Sequence, residues 1–177
     1  MVRSTPSTVA LLSLSGRLMT SAGDTLPPFS LSNHKDELVT QEDVLGTPTV
    51  FFFYPKANTP GCTTEACAFR DRKPQFDALG VRLIGVSADT VRRQSNFVNK
   101  YQLTMELLSD PDHQLLDPWG IWAEKKNYGR TYMGIKRTTV WVDANGVVQK
   151  VWENVRVKNH AESVLQEISS SSARKIS

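Results

Sequence analysis

An α/β domain, a central mixed β-sheet flanked by helices, is the fold class this sequence predicts, and three observations predict it. Short apolar runs at residues 49–54 and 81–86 have the length and the β-branched or aromatic content of buried strands. Each is followed by a helix start, Thr59-Pro60 after the first and Asp89-Thr90 after the second. Towards the C-terminus, runs at 138–142 and 147–152 flank Asp143-Ala144-Asn145-Gly146, a strong hairpin signal. Alternating strands and helices closed by a hairpin favour a layered α/β arrangement.

In chain order, residues 29–31 and 37–40 are expected as short strands and 41–45 as a short helix, after which Gly46 leads into the strand at 49–54. Pro55 and Asn58 break that strand into a loop. The helix opening at Pro60 should run towards Arg72, with Pro74 stopping or kinking it. Asp89 is expected to cap a helix over 90–101, and Leu107-Leu108 before Asp110-Pro111-Asp112 predicts a short strand and a turn. Residues 115–122 read as a short helix packing its leucines and tryptophans, and a last helix covers 161–168.

A chain of 177 residues that is 40% hydrophobic suits one domain with a sizeable core. That domain is expected over 22–168. Residues 1–21 lack acids and hold Arg3 and Arg17 among many Ser and Thr, as expected of a disordered or targeting extension; 169–177 read as a polar tail. The net charge of +3 is slight, and the basic residues are scattered among acids without a patch interleaved with aromatics, which argues against nucleic acid. No run is long and apolar enough to cross a membrane. Two cysteines without a CxxC pair speak against zinc, and the dispersed His34, His113 and His160 read as surface or hydrogen-bonding residues.

Cys62 carries the chemistry. With Thr59 as N-cap and Pro60 at the first helical position, it falls in the first turn, where orphan N–H groups and the macrodipole favour a thiolate. Cys67 follows five residues later, a spacing that on an intact helix separates the Cα atoms by roughly 8 to 9 Å. A disulfide needs about 4.4 to 6.8 Å, so a bond between the two requires the first turns to unwind. Two buried, inert cysteines are the alternative reading. Glu65, one turn beyond Cys62, reads as a solvated residue with no catalytic part.

The string TPGCTTEACAFRD resembles the active site of the peroxiredoxins, in particular the bacterioferritin-comigratory protein or peroxiredoxin Q subfamily. Pro55, Thr59 and Cys62 match the family pattern without gaps. AGDTLPPFSL at 22–31, LLSDPDHQLL at 107–116 and EKKNYGRTYMGIKRTTVWVD at 124–143 are similar to the subfamily too. The resemblance implies a thioredoxin-like fold, with Cys62 as the peroxidatic cysteine that becomes a sulfenic acid and Cys67 as the resolving cysteine that condenses with it. It implies that Arg137 holds the thiolate and orients the peroxide, that Thr59 offers its hydroxyl, and that Pro55 shields the sulfur from water.

Ionisation alone would not make a peroxidase. A thiol of ordinary acidity is about 3 per cent ionised at pH 7, so full ionisation gains only about thirtyfold, and fixed donors must do the rest. The expected activity is an atypical two-cysteine thiol peroxidase that reduces hydrogen peroxide and organic hydroperoxides. It needs no metal, haem or flavin. Its expected partners are a peroxide and a thioredoxin- or glutaredoxin-like reductant, with no nucleic acid and no membrane, and the chain is expected to be a monomer. A redox sensor relaying oxidation to a partner protein could use the same cysteines; a dithiol reductase is disfavoured by the absence of CxxC. Cytoplasmic residence is expected, with mitochondrion or plastid as the alternative through the N-terminal extension.

Overall fold

A computed structural model gives the fold of this protein and describes residues 18–176. The extension expected over 1–21 lies outside the described residues up to position 17. From position 18 on it is tied down: the Thr20 amide donates to the Trp119 carbonyl at 2.9 Å, and Thr20 is buried.

The run Thr-Val-Phe-Phe-Phe forms strand β3, Thr49–Phe53, and all of it is buried. Successive strand residues point to opposite faces, so a strand with no exposed position must be covered on both. Phe51 and Phe53 enter one core with Ile84, Val86 and Trp119; Val50 and Phe52 enter the other with Cys62, Phe69, Phe76 and Val164. The rest of the sheet assembles around it from β1 (Ser30–Asn33), β2 (Leu38–Thr40), β4 (Arg82–Ser87), β5 (Glu106–Ser109), β8 (Thr138–Val142) and β9 (Val148–Trp152). The seven strands lie in the order β2-β1-β5-β4-β3-β8-β9, with β3, β4 and β5 parallel and the other pairings antiparallel. This is the mixed sheet expected from the sequence, in the thioredoxin-like fold.

Helices α1 (Gln41–Val44), α2 (Pro60–Ala78), α3 (Val91–Tyr101) and α4 (His160–Ile176) complete the sheet's surroundings. Three helix expectations change. Pro74 does not stop α2, because it faces solvent while Phe69 and Phe76 on either side are fully buried and hold both halves against the core. Thr90, not Asp89, caps α3, accepting from the Arg93 amide at 3.3 Å. The last helix runs on through the serines expected as a tail.

The helix expected over 115–122 is a series of turns instead. Pro118 supplies no amide and disfavours a helical conformation at Asp117. The Asp110 carboxylate ties the segment down by accepting from the amides of Gln114, Leu115 and Leu116 at 2.6 to 3.1 Å. Beyond it lies a hairpin that the strand signals did not mark, β6 (Trp122–Asn127) and β7 (Arg130–Ile135), which forms its own two-stranded sheet. Tyr128 and Gly129 link its strands with φ of 50° and 76°, and positive φ at both linking positions is what a two-residue hairpin turn requires.

Candidate active site

The sheet's topology brings the reactive segments together. Because β3 and β8 are antiparallel with Phe53 opposite Thr138, the loop leaving β3 lies beside the segment entering β8, and that segment is Lys136-Arg137. Because β3 and β4 are parallel, the loop leaving β4 also emerges at this edge, and it carries Asp89. Residues from three distant stretches meet where β3 ends, the usual place for a site in an α/β sheet.

Cys62 lies in the first turn of α2 with only 1% of its surface exposed. The Thr63 amide donates to the Thr59 carbonyl at 2.9 Å and closes that turn. The amides of Gly61 and Cys62 precede it and are orphan donors of the helix start. Arg137 Nη2 donates to Cys62 Sγ at 3.4 Å, and Nη1 donates to Glu65 Oε1 at 2.8 Å. The guanidinium fork therefore clamps two positions one turn apart on the same helix. Gly61 makes this approach possible: a Cβ there would lie 3.2 Å from Nη2.

The backbone carrying Arg137 is fixed on both sides. Lys136 donates its amide to the Ile121 carbonyl, and Arg137 accepts from the Val155 amide, each at 2.9 Å. The Cys62 loop is held as firmly from below. The buried Asp89 carboxylate accepts from the Ala57 amide and the Ser87 hydroxyl, both at 2.7 Å. Gln94 joins that network through Ser87, the Leu108 carbonyl and the Tyr54 hydroxyl, whose burial pushes its pKa far up and keeps it a neutral phenol.

Compared with known sequences, residues 22–151 match the AhpC/TSA family. The chain is 40% identical to a putative peroxiredoxin Bcp of Haemophilus influenzae over 145 residues, covering 82% of this chain and 94% of that one. It is 41% identical to peroxiredoxin Bcp of Escherichia coli over 144 residues, covering 81% and 92%. This chain belongs to the AhpC/TSA family and is a peroxiredoxin. Solved structures agree. A peroxiredoxin Q of Xylella fastidiosa superposes with a TM-score of 0.83 at 32% identity, covering 89% of this chain and 99% of that one. The bacterioferritin comigratory protein of Xanthomonas campestris gives 0.78 at 33%, covering 86% and 97%.

Of the site residues expected from the sequence, Cys62 and Arg137 of this peroxiredoxin are in contact, and Thr59 and Pro55 lie in the adjoining loop, both half-buried. Thr59 occupies the N-cap position with an extended backbone, yet its hydroxyl does not cap α2. It donates to the Lys56 carbonyl at 2.7 Å, so in this arrangement the oxygen keeps only its acceptor role for a bound molecule. Cys67 is partly exposed on the same unbroken helix, and both cysteines are free.

Two residues escaped the sequence reading. Glu65 is not solvated: it is 1% exposed, and Oε2 is buried without a hydrogen-bond partner. Burial pushes its carboxyl up to about 7, with the Arg137 charge and hydrogen bond pulling the other way. Asp89 is the second, a loop-holding carboxylate rather than a cap. A Glu one turn beyond a first-turn Cys shares its helix face, and that spacing was the available signal for Glu65. Nothing local marks Asp89.

Around the site, Lys125 of β6 donates to the Ile135 carbonyl at 2.9 Å; burial and then the Arg137 charge lower its pKa, against the pull of Cys62. His160, at the start of α4, is buried and hydrogen-bonded to Thr139 Oγ1 at 2.7 Å. Burial and the Arg137 charge push it down to about 4, so it is neutral at pH 7.

Proposed function

We propose that this peroxiredoxin reduces hydrogen peroxide and organic hydroperoxides at Cys62 and resolves the product through Cys67. The observation that carries the reading is the Arg137 donor 3.4 Å from a buried first-turn Cys62, with a second cysteine farther along the same helix. The sulfur attacks one peroxide oxygen, the O–O bond breaks as the S–O bond forms, and the departing oxygen leaves as water or an alcohol after taking a proton. Arg137 and the amides of Gly61 and Cys62 stabilise the charge that develops on the oxygens. Thr59 accepts a hydrogen bond from the peroxide O–H and so orients it. Pro55 supplies an edge without an amide that keeps water from the sulfur.

Cys67 then attacks the sulfenic sulfur, water departs and a Cys62–Cys67 disulfide forms. A thioredoxin-like dithiol reduces it. The solved bacterioferritin comigratory protein of Xanthomonas campestris is described for its alkyl peroxide reduction activity, and that supports organic hydroperoxides as substrates here.

Stopped-flow oxidation followed by mass analysis tests the division of roles. Cys62→Ser should lose peroxide reduction down to background. Cys67→Ser should consume one equivalent and accumulate sulfenic acid at Cys62. A Cys67→Ser protein that consumed no peroxide, or a Cys62→Ser protein that still turned over, would overturn the assignment. Steady turnover of many equivalents with a recycling system separates a peroxidase from a redox relay.

A further inference from the structure

The hairpin β6–β7 stands apart from the main sheet, and its strands pack chiefly on each other. Between positions 122 and 137 the chain carries Lys125, Lys126, Arg130, Lys136 and Arg137 against the single acid Glu124, while the whole chain has a net charge of only +3. The remainder is close to neutral. The fold sets the inner end of this basic stretch, through Arg137, against the reactive cysteine.

Their placement has a direction. Directly opposed residues of an antiparallel pair share a face, so Ala123 with Gly134, Lys125 with Tyr132, and Asn127 with Arg130 form one face of the hairpin. Lys125 at its inner end senses the charges of Arg137 and Cys62. Arg130 at its outer end, opposite Asn127, is roughly 7 Å farther along the strands and exposed. Tyr128 in the turn is 97% exposed and Tyr132 45%, and an open cleft of about 630 Å³ lies against Tyr128, Arg130 and Tyr132. Tyr and Arg are side chains that protein interfaces favour, and here they share a face with Lys125, which senses the sulfur that must be reduced.

We propose that this hairpin is the docking arm for the protein dithiol that reduces the Cys62–Cys67 disulfide, and that this donor presents an acidic surface around its own cysteine pair. The inference rests on recycling by a thioredoxin-like donor. A second copy of this chain is a poor occupant, since it would set one basic hairpin against another. In the docked pair, one donor thiolate attacks a sulfur of the disulfide, and that bond breaks as a mixed disulfide forms. The second donor thiol then displaces the peroxiredoxin cysteine. The peroxiredoxin gains two electrons and two protons, and the donor leaves as its own disulfide.

The test compares an acidic bacterial thioredoxin with dithiothreitol, a small neutral dithiol that needs no arm, as reductants of the preformed disulfide. The variant is Arg130→Glu/Tyr132→Glu, two exposed residues of that face outside the catalytic group; Lys35→Glu/Arg92→Glu, also exposed, is the control. At low ionic strength the hairpin variant should react with thioredoxin about tenfold or more slowly. Its rate with dithiothreitol and the control's rate with thioredoxin should be unchanged. Salt should slow the wild type and hardly affect the variant. Equal thioredoxin rates in wild type and hairpin variant would overturn the arm and leave the donor class standing. Equal losses with both reductants would locate the effect in the site itself and overturn it too. A wild type reduced by dithiothreitol but not by thioredoxin would remove the donor class and the arm together. Binding to phosphatidylserine vesicles lost in the variant, with thioredoxin rates unaltered, would assign the hairpin to a membrane surface and also overturn the proposal.

Discussion

The front and the back of α2 are anchored by different physics. The front, residues 60–68, buries Cys62, Glu65 and Ala66; the back, from residue 69 on, buries Phe69 and Phe76. A buried phenylalanine contributes about 1.5 to 3 kcal/mol of hydrophobic stabilisation, far more than an alanine, while a buried carboxyl costs free energy unless it is paired. Phe69 stacks on Phe52 with ring centroids 4.6 Å apart and meets His160 edge-on at 5.9 Å. The front has no aromatic anchor, and its tether is the Arg137 fork on Cys62 and Glu65. Such a helix can release its front without losing its back, which is what a bond from Cys62 to Cys67 demands. Cys67 lies just ahead of Phe69, on the side that lets go.

The tether is the place where this contrast breaks most visibly. Arg137→Lys keeps the charge but loses the planar fork, so it cannot hold Glu65 Oε1 and Cys62 Sγ together. The rate of Cys62 oxidation by peroxide should fall about a hundredfold, while the circular dichroism spectrum stays that of the wild type. A wild-type rate would show that the fork neither holds the front nor serves the chemistry.

Anchoring can be weighed directly by denaturant unfolding. Phe69→Ala should cost about 3 to 5 kcal/mol, as expected for a fully buried aromatic. Ala66→Gly, in the front, should cost only about 1 kcal/mol, mainly from the backbone freedom that glycine adds. Similar losses at both positions would erase the distinction between the halves.

Amide exchange sharpens the comparison without mutation. In the disulfide form, amides over 61–68 should lose protection while those of Phe76 and of β3 keep it. Peptide mapping of an intramolecular Cys62–Cys67 bond together with unchanged protection in the front would sink the unfolding model.

A further effect concerns pH. Glu65 has its carboxyl raised from 4.5 to about 7, so the folded protein holds that proton more tightly than the unfolded chain. The associated stability is fully present below pH 4.5 and is lost as pH rises to about 7. Glu65→Gln keeps an acceptor for Arg137 but cannot ionise. Between pH 4.5 and 7 the wild type should therefore lose about 1 to 3 kcal/mol relative to Glu65→Gln in denaturant unfolding. Parallel profiles for the two proteins would mean that Glu65 titrates as an ordinary carboxyl.

By itself the sequence determined what depends on neighbours along the chain. The buried strand β3, the start of α2 at Pro60, the position of Cys62 in its first turn, and the hairpin joining β8 to β9 follow from local periodicity, capping and turn chemistry. The family motif then named Arg137. Tertiary structure decided the rest. Pro74 reads as a helix breaker until Phe69 and Phe76 are seen to hold both sides of it. Thr59 reads as a cap until its hydroxyl is found on the Lys56 carbonyl. Glu65 reads as solvated, because its burial depends on a guanidinium 72 positions away, and Asp89 reads as a cap, because the amide it holds is 32 positions back. Local signals report the conformation a segment prefers. Which distant charges and amides end up within 3 Å is set by strand order and register, and those are properties of the whole sheet.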